Sequence, residues 1–282
     1  MKNDELQKPC YTITVIEIRT PKDITECNAL EALQIDIWQT TEGIVPGEIF
    51  FIAIKNGGTV LAAYDLDIDS GKPVGFAFSI IGLTKDGKLR HHSHQAGVLE
   101  TYRDKNLGYK LKLAQREMAL KQGIPWMIWT CEPLESRNAK FNFHKLGVVC
   151  NTYYEHLYGD MGGINQGLPS DRFQLDWFLS SDRVVKRLSD EKSATFNDIS
   201  KHTQIIEMQD VRPKENWTLD SEKILLEIPL DFRAIKARDK DLALAWRMST
   251  REVFQQAFAK GYSVTDFVLE QNRGYYVLDQ SQ

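Results

Sequence analysis

The order of apolar and polar residues divides the chain into short strands and amphipathic helices. Residues 11–18 alternate around β-branched side chains and predict a strand. Asp23 followed by Glu26 has the spacing of a capping box. Leu30, Leu33 and Ile37 then recur at helical period, so a helix runs to about Trp38. Pro46 opens a shorter helix that stops at Gly57 and Gly58. Three apolar runs follow at 59–64, 73–81 and 88–99, joined by the turn-forming stretches 69–72 and 85–87. They predict an antiparallel meander. From residue 106 to 122 the period becomes helical, with Leu107, Leu111, Ala114 and Met118 on one face and Gly123 just beyond the end. A buried strand (124–130), a helix (134–146, closed by Gly147) and another strand (148–154) complete this part.

Beyond Leu179 the pattern weakens. Residues 180–220 are polar and read as a linker or long excursion. Structure is expected again as a strand at 223–228, a long amphipathic helix at 239–259 capped by Gly261, and strands at 263–269 and 275–278. The chain therefore divides into residues 1–180, a linker at 181–220, and a βαββ extension at 221–282 that either lengthens the sheet or forms a small second lobe. The fold class is α/β (α+β), with a mixed central sheet flanked by helices.

Composition narrows the possible partners. The 282 residues carry a formal net charge of −4, and 42% are hydrophobic. Such a chain has a sizeable core and no overall basic character for nucleic acid or an anionic membrane. Apolar runs fall short of the roughly 20 residues that span a bilayer. The polar, acidic start at residues 1–5 argues against a secretory signal, so a cytoplasmic location is expected. The four cysteines are widely spaced, which predicts buried free thiols and neither a metal site nor a disulfide framework.

The most informative stretch is 97–111, where a strand leads through a polar turn into a helix with Gly108 in its first turn. First-turn amides lack intrahelical partners and sit at the positive end of the helix dipole, so phosphates favour such a place. Arg103-Asp104-Lys105-Asn106-Leu107-Gly108 resembles the acetyl-CoA signature of GNAT enzymes, Arg/Gln-x-x-Gly-x-Gly/Ala, with Asn106 at the middle glycine. Asn tolerates left-handed backbone, so the loop can still form. The stretch 135–147 is similar to a later GNAT helix, with Ala139, Lys145 and Gly147 in register. With residues 167–172 it also resembles a subgroup of predicted bacterial acyltransferases. The resemblance spans roughly residues 11–180 and implies a GNAT fold and acetyl-CoA or another acyl-CoA as co-substrate. It further implies that the amides of Arg103 to Gly108 hold the pyrophosphate, with Asn138 also at the cofactor. The backbone of Val98 and Leu99 would pair with the pantetheine arm like an added strand, and the Leu99 amide would meet the oxyanion. Lys105 adds charge at the rim or is a solvated turn lysine.

Amine acylation needs a base with a pKa near neutrality, which histidine supplies. His92 and His94 share one face of the strand entering the cradle, while His91 faces the other way. The pair is similar in spacing to that of arylalkylamine N-acetyltransferases, which implies a role in removing the amine proton. The same two residues could instead be core or dimer-interface histidines. Phe143 stands where GNAT enzymes carry the proton-donating tyrosine. Tyr153, Tyr154, Tyr158 and His144 lie nearby, each also suited to packing. On the long helix, Arg247 and Arg251 are one turn apart; they either face solvent or hold the carboxylate of a substrate or succinyl donor. The expected activity is transfer of an acetyl or succinyl group to a small primary amine such as an amino acid, by a monomer or homodimer. The departures at Asn106 and Phe143 motivate a rival, a CoA-binding protein without catalysis.

Overall fold

The computed structural model describes residues 15–68, 71–159, 167–189, 204–209, 212–213 and 217–280, without the side chains of residues 104, 204, 209, 212 and 213. Positions 11–14 of the first expected strand, Cys10, and residues 69–70 of the first meander turn lie outside that set. The chain forms two compact units, Met1–Ile80 with His94–Met118, and Ile81–Ser93 with Ala119–Gln282.

The first unit is built on β1 (Ile16–Arg19), β2 (Thr59–Asp65), most of β3 (Pro73–Leu83) and the end of β4 (Leu89–Val98). β1 and β3 each pair antiparallel with β2. Every residue of β2 is buried because helices cover both faces. On one face Val60, Ala62 and Tyr64 meet Leu30, Leu33 and Phe50 of α1 (Ile24–Trp38) and α2 (Gly47–Lys55). On the other, Leu61 and Ala63 meet Leu107 and Leu111 of α3 (Leu107–Lys121). Alternation thus sends successive β2 side chains into two separate cores, and the strand reads as a continuous apolar run. Burial of each large side chain contributes roughly 1.5–3 kcal/mol. Asp23 caps α1 through the Glu26 amide at 3.0 Å, as the capping spacing predicts.

In the second unit the strands run in the order β5 (Trp126–Cys131), β7 (Arg172–Phe178), β6 (Val149–Tyr154), β12 (Ser263–Glu270), β13 (Arg273–Asp279), β11 (Lys223–Ile228) and β8 (Gln204–Ile206). At its start β4 pairs parallel with β5, His91 opposite Met127 and His92 opposite Ile128. A separate two-residue ribbon joins β9 (Met208–Gln209) to β10 (Arg212–Pro213). The helices are α4 (Ser136–Ala139), which passes into a π-helical turn at Lys140–Lys145, then α5 (Asp182–Leu188), α6 (Phe232–Arg238) and α7 (Lys240–Ala259).

Four expectations are corrected here. β7 is an additional strand, in which Phe173, Leu175 and Trp177 are buried in alternation with partly exposed Gln174 and Asp176. The expected linker at 181–220 contains α5, capped by Ser181, and β8, which pairs parallel with β11. The helix expected at 134–146 begins at Ser136 and winds mostly as π. The C-terminal extension has two helices where one was expected, α6 being too short to show a period. Its strands lengthen this unit's sheet, with Val264 of β12 opposite Cys150 of β6. Cys27, Cys131 and Cys150 are free and buried. Among the described residues no helix is long and apolar enough to cross a membrane.

Candidate functional site

Between β4 and α3 the chain makes a 3₁₀ turn over Glu100–Lys105 that ends on Asn106 at φ 60°, ψ 16°. This left-handed conformation is the one a glycine would take most easily, and Asn is among the few other residues that adopt it routinely. α3 starts at Leu107, so Gly108 lies in its first turn. A Cβ at Gly108 would have Val98 Cγ2 as its nearest neighbour at 4.0 Å, which leaves its Cα open on that side. Gly97 is different. A Cβ there would come within 2.9 Å of Ile37 Cδ1, so this glycine serves packing. The arrangement joins a strand end, a tight turn and a helix N-terminus, and the first amides of a helix lack intrahelical partners, which suits such a place to phosphate groups.

The turn is fixed from beneath by residues that no motif marks. Tyr102 is buried, and its hydroxyl donates to Asp65 Oδ2 at 2.5 Å. That hydrogen bond and the burial push the phenol pKa up to about 12. Lys105 places its ammonium 4.6 Å from the Tyr102 ring centroid, and Arg103 pairs loosely with Glu100 at 3.8 Å. Removing the hydroxyl takes the Tyr102 donor from Asp65 Oδ2, leaving the carboxylate with the Asp67 amide on Oδ1. We therefore expect Tyr102→Phe to destabilise the protein by about 1.5–3 kcal/mol in a urea melt, and to loosen ligand binding at the turn.

One assignment carried by the resemblance is corrected by the backbone. The Leu99 amide donates to Val74 O at 3.0 Å, and the Leu99 carbonyl accepts from the Tyr102 amide at 2.9 Å. Leu99 is therefore engaged on both sides, available neither to an oxyanion nor to a pantetheine arm. In an antiparallel ladder, neighbouring residues direct their N–H and C=O to opposite sides. With Leu99 turned toward β3, the backbone of Val98 faces away from it and remains the residue suited to pair with an extended ligand.

The histidines alternate along β4 as the period predicts. His91 is fully buried, with Nε2 2.7 Å from Gln122 Oε1. His92 is half-buried, and His94 is exposed with its ring edge-on to Phe78 at 5.9 Å. Partial desolvation holds the His94 pKa below the ordinary 6.5.

In the second unit, Phe143 sits on the π turn and is fully buried against Phe173 and Tyr276. The neighbouring hydroxyls are engaged: Tyr153 with Asp171 at 2.6 Å, Tyr154 with Gln174 at 3.2 Å and Tyr158 with Thr130 at 2.8 Å. Burial pushes the Tyr153 phenol up, further reducing its readiness to give a proton. His144 Nδ1 lies 3.1 Å from Asp266, which also binds Arg187 at 2.8 Å. Asn138 is exposed on α4.

The two arginines of α7 are not a solvated face. Arg251 binds both oxygens of buried Asp171 at 2.8 Å through Nε and Nη2, and Glu155 at 2.9 Å through Nη1. All three of its nitrogens are engaged by the chain itself, which displaces it from the expected substrate role. Arg247 is 1% exposed and donates through Nη2 to Glu132 at 2.6 Å. Helical spacing puts both arginines on one face; the carboxylates they hold are those of Glu132, Glu155 and Asp171, which no local pattern links to them.

No family model matches the chain, and no curated protein matches it. Solved structures do resemble it. The NatC complex bound to Gag peptide and CoA is 16% identical, with 58% of this chain and 99% of that one covered at a TM-score of 0.47. NAA60 of Arabidopsis thaliana in complex with acetyl-CoA is 18% identical, covering 58% and 99%, at 0.46. A protein from Desulfovibrio desulfuricans assigned to the GNAT acetyltransferases is 12% identical, covering 59% and 100%, at 0.44. Each of these is a likeness over somewhat more than half of the chain, at 12–18% identity.

Proposed function

We propose that this protein transfers an acyl group, acetyl by default, from coenzyme A to a primary amine, with small amines and amino acids as acceptors. The observation that carries the reading is the turn from β4 into α3, where Asn106 takes the left-handed backbone and Gly108 leaves the first helical turn open. The 3₁₀ turn uses amides of its own residues, so those of Leu107 and Gly108 at the start of α3 hold the pyrophosphate, and the Val98 backbone pairs with the pantetheine arm. His94 takes the amine proton, with His92 assisting from two residues back. The neutral amine then attacks the thioester carbon. The new N–C bond forms and the C–S bond breaks; the proton that the attacking nitrogen gives up passes through water to the departing thiolate.

The first experiment is a thermal melt with acetyl-CoA, succinyl-CoA and free CoA. Any ligand that binds the native state raises the melting point, and millimolar acyl-CoA without a shift would dismiss the cradle. Binding without turnover across a wide amine panel would favour the rival reading, a CoA-binding protein that does no chemistry.

The histidine assignment makes a separate prediction with a definite sign. A base works only when unprotonated, and the His94 pKa lies below 6.5. kcat/KM is expected to be flat at neutral pH and to fall as pH drops through a value under 6.5. His94→Gln should lower turnover about 10²-fold at neutral pH and remove that acid limb, general bases being worth roughly this much. An unchanged profile dismisses His94 as the base.

A further inference from the structure

The sheet of the second unit carries charge on the face turned away from its aromatic core. Strand pairing decides which side chains share that face. Trp126 of β5 lies opposite Phe178 of β7, Ile128 lies opposite Asp176, and His92 of β4 stands beside Ile128. Alternation puts Arg90, two residues before His92, on the same side. Met127 and Trp177 alternate with these residues and are fully buried on the other side. The charged side is open to solvent: Phe178 is 46% exposed, and Arg90, Trp126 and Asp176 are half-buried.

Two opposite charges are held apart on this face. The Arg90 guanidinium lies over the Trp126 ring, 4.9 Å from its centroid, and the Trp126 indole N–H donates to Asp176 Oδ1 at 2.9 Å. Phe178 stacks with the same indole at 6.0 Å and keeps it in place. Neither Arg90 nor Asp176 forms an ion pair among the described residues, although the Arg90 charge acts on the Asp176 carboxyl through space. Stacking engages the flat face of a guanidinium and leaves its N–H edges to a ligand. An ionised carboxylate accepts about four hydrogen bonds, and the Trp126 indole and the Gln174 side chain account for two. Burial raises the Asp176 pKa, and these neighbours do not offset it in full, so a further cation is favoured there.

We infer that Arg90 and Asp176 form a site for the zwitterionic head of an α-amino acid, with its carboxylate on the Arg90 guanidinium and its ammonium on Asp176. β4 and β7 are two strand spacings apart, roughly 10 Å. The Arg90 side chain covers part of that distance by reaching over Trp126, and an ammonium and a carboxylate borne on one carbon span the rest. A simple amine leaves Arg90 unanswered and a simple acid leaves Asp176 so, whereas a ligand with both charges completes the site. The ammonium end then lies in the row that also holds His92. Binding is independent of the acyltransferase reading; the role of the amino acid as acceptor rests on it.

The test removes one charge at a time, from the ligand and from the protein. Thermal melts of the wild type with each common L-amino acid at millimolar concentration should identify at least one that raises the melting point saturably. Calorimetry should show its methyl ester, which lacks the carboxylate, and its 2-hydroxy acid, which lacks the ammonium, each binding about tenfold or more weakly. Arg90→Met keeps an apolar stem over Trp126 and loses the donors, so the amino acid and its ester should bind this variant alike. Asp176→Asn keeps an acceptor for the indole, and there the amino acid and its hydroxy acid should bind alike. The inference is overturned if no amino acid gives a shift, if either analogue binds the wild type as well as its parent, or if Arg90→Met retains wild-type affinity. Should Asp176→Asn fail to fold, the three ligands compared on the wild type and on Arg90→Met decide. Amino-acid binding through both groups without any shift from acetyl-CoA would keep this site and dismiss the acyltransferase reading. A shift from acetyl-CoA with no amino acid bound would do the reverse.

Discussion

Gly108→Glu is expected to abolish stabilisation by acyl-CoA, weakening binding at least 100-fold, while the unliganded protein melts at or slightly above the wild-type temperature. The two halves of this result have one cause. The Gly108 Cα is open, the nearest atom lying 4.0 Å from the place a Cβ would take, so a side chain enters without displacing its neighbours. A carboxylate in the first turn then sits where the helix end is positive, which favours it by about 0.3–1 kcal/mol. On the proposed function, that carboxylate occupies the place of the pyrophosphate and repels it. Loss of the ligand shift with a retained melt is the decisive pattern. Full affinity in the variant would place the phosphate elsewhere, and a collapsed melt would mean that Gly108 serves packing.

The second large effect concerns stability. Asp171 is fully buried and accepts four hydrogen bonds: two from Arg251 at 2.8 Å, one from Tyr153 at 2.6 Å and one from the His156 amide at 3.1 Å. Burial alone would raise its pKa. The bonds from Arg251, Tyr153 and the His156 amide outweigh that and hold it below the ordinary value of 3.8. Asp171→Asn removes the charge and turns an amide toward donors, and we expect a loss of about 3–5 kcal/mol, the range for breaking a buried pair from one side. Tyr153→Phe should cost less, about 1.5–3 kcal/mol, because the pair with Arg251 survives. The sign of the pH dependence follows from the lowered pKa. The contribution is complete above the unfolded pKa and disappears as pH falls through the lower, folded one. Urea midpoints should therefore fall more steeply in acid for the wild type than for Asp171→Asn; parallel curves would remove Asp171 as the titrating group.

Much of the first unit is legible in the sequence because its signals are local. Asn106 declares a left-handed residue by its own side chain, Asp23 and Glu26 declare a cap by spacing, and Leu107 and Leu111 mark the buried face of α3. The Leu99 amide is misassigned by the motif because a motif names the residue and not the side of the strand to which its backbone turns. That side depends on register with β3, through Val74, which is set by a distant segment. The second unit is harder to read for the same reason. Glu132 and Arg247 are 115 positions apart, and nothing along the chain marks them as partners. β7 is a different case: Phe173, Leu175 and Trp177 carry a clear two-residue period, but its lead-in at 167–172 resembles part of a motif and draws attention from the strand behind it.

The position of β7 constrains the order in which the second unit assembles. β5 and β6 both precede it in sequence, yet it pairs antiparallel with each of them and lies between the two. During synthesis both flanking strands have therefore left the ribosome before the strand that joins them. Until residues 172–178 follow, each presents an unpaired backbone edge, and such edges recruit other chains as readily as their own. The nascent protein is therefore exposed to aggregation while these two strands await the third, and β6 keeps its other edge open until β12 follows.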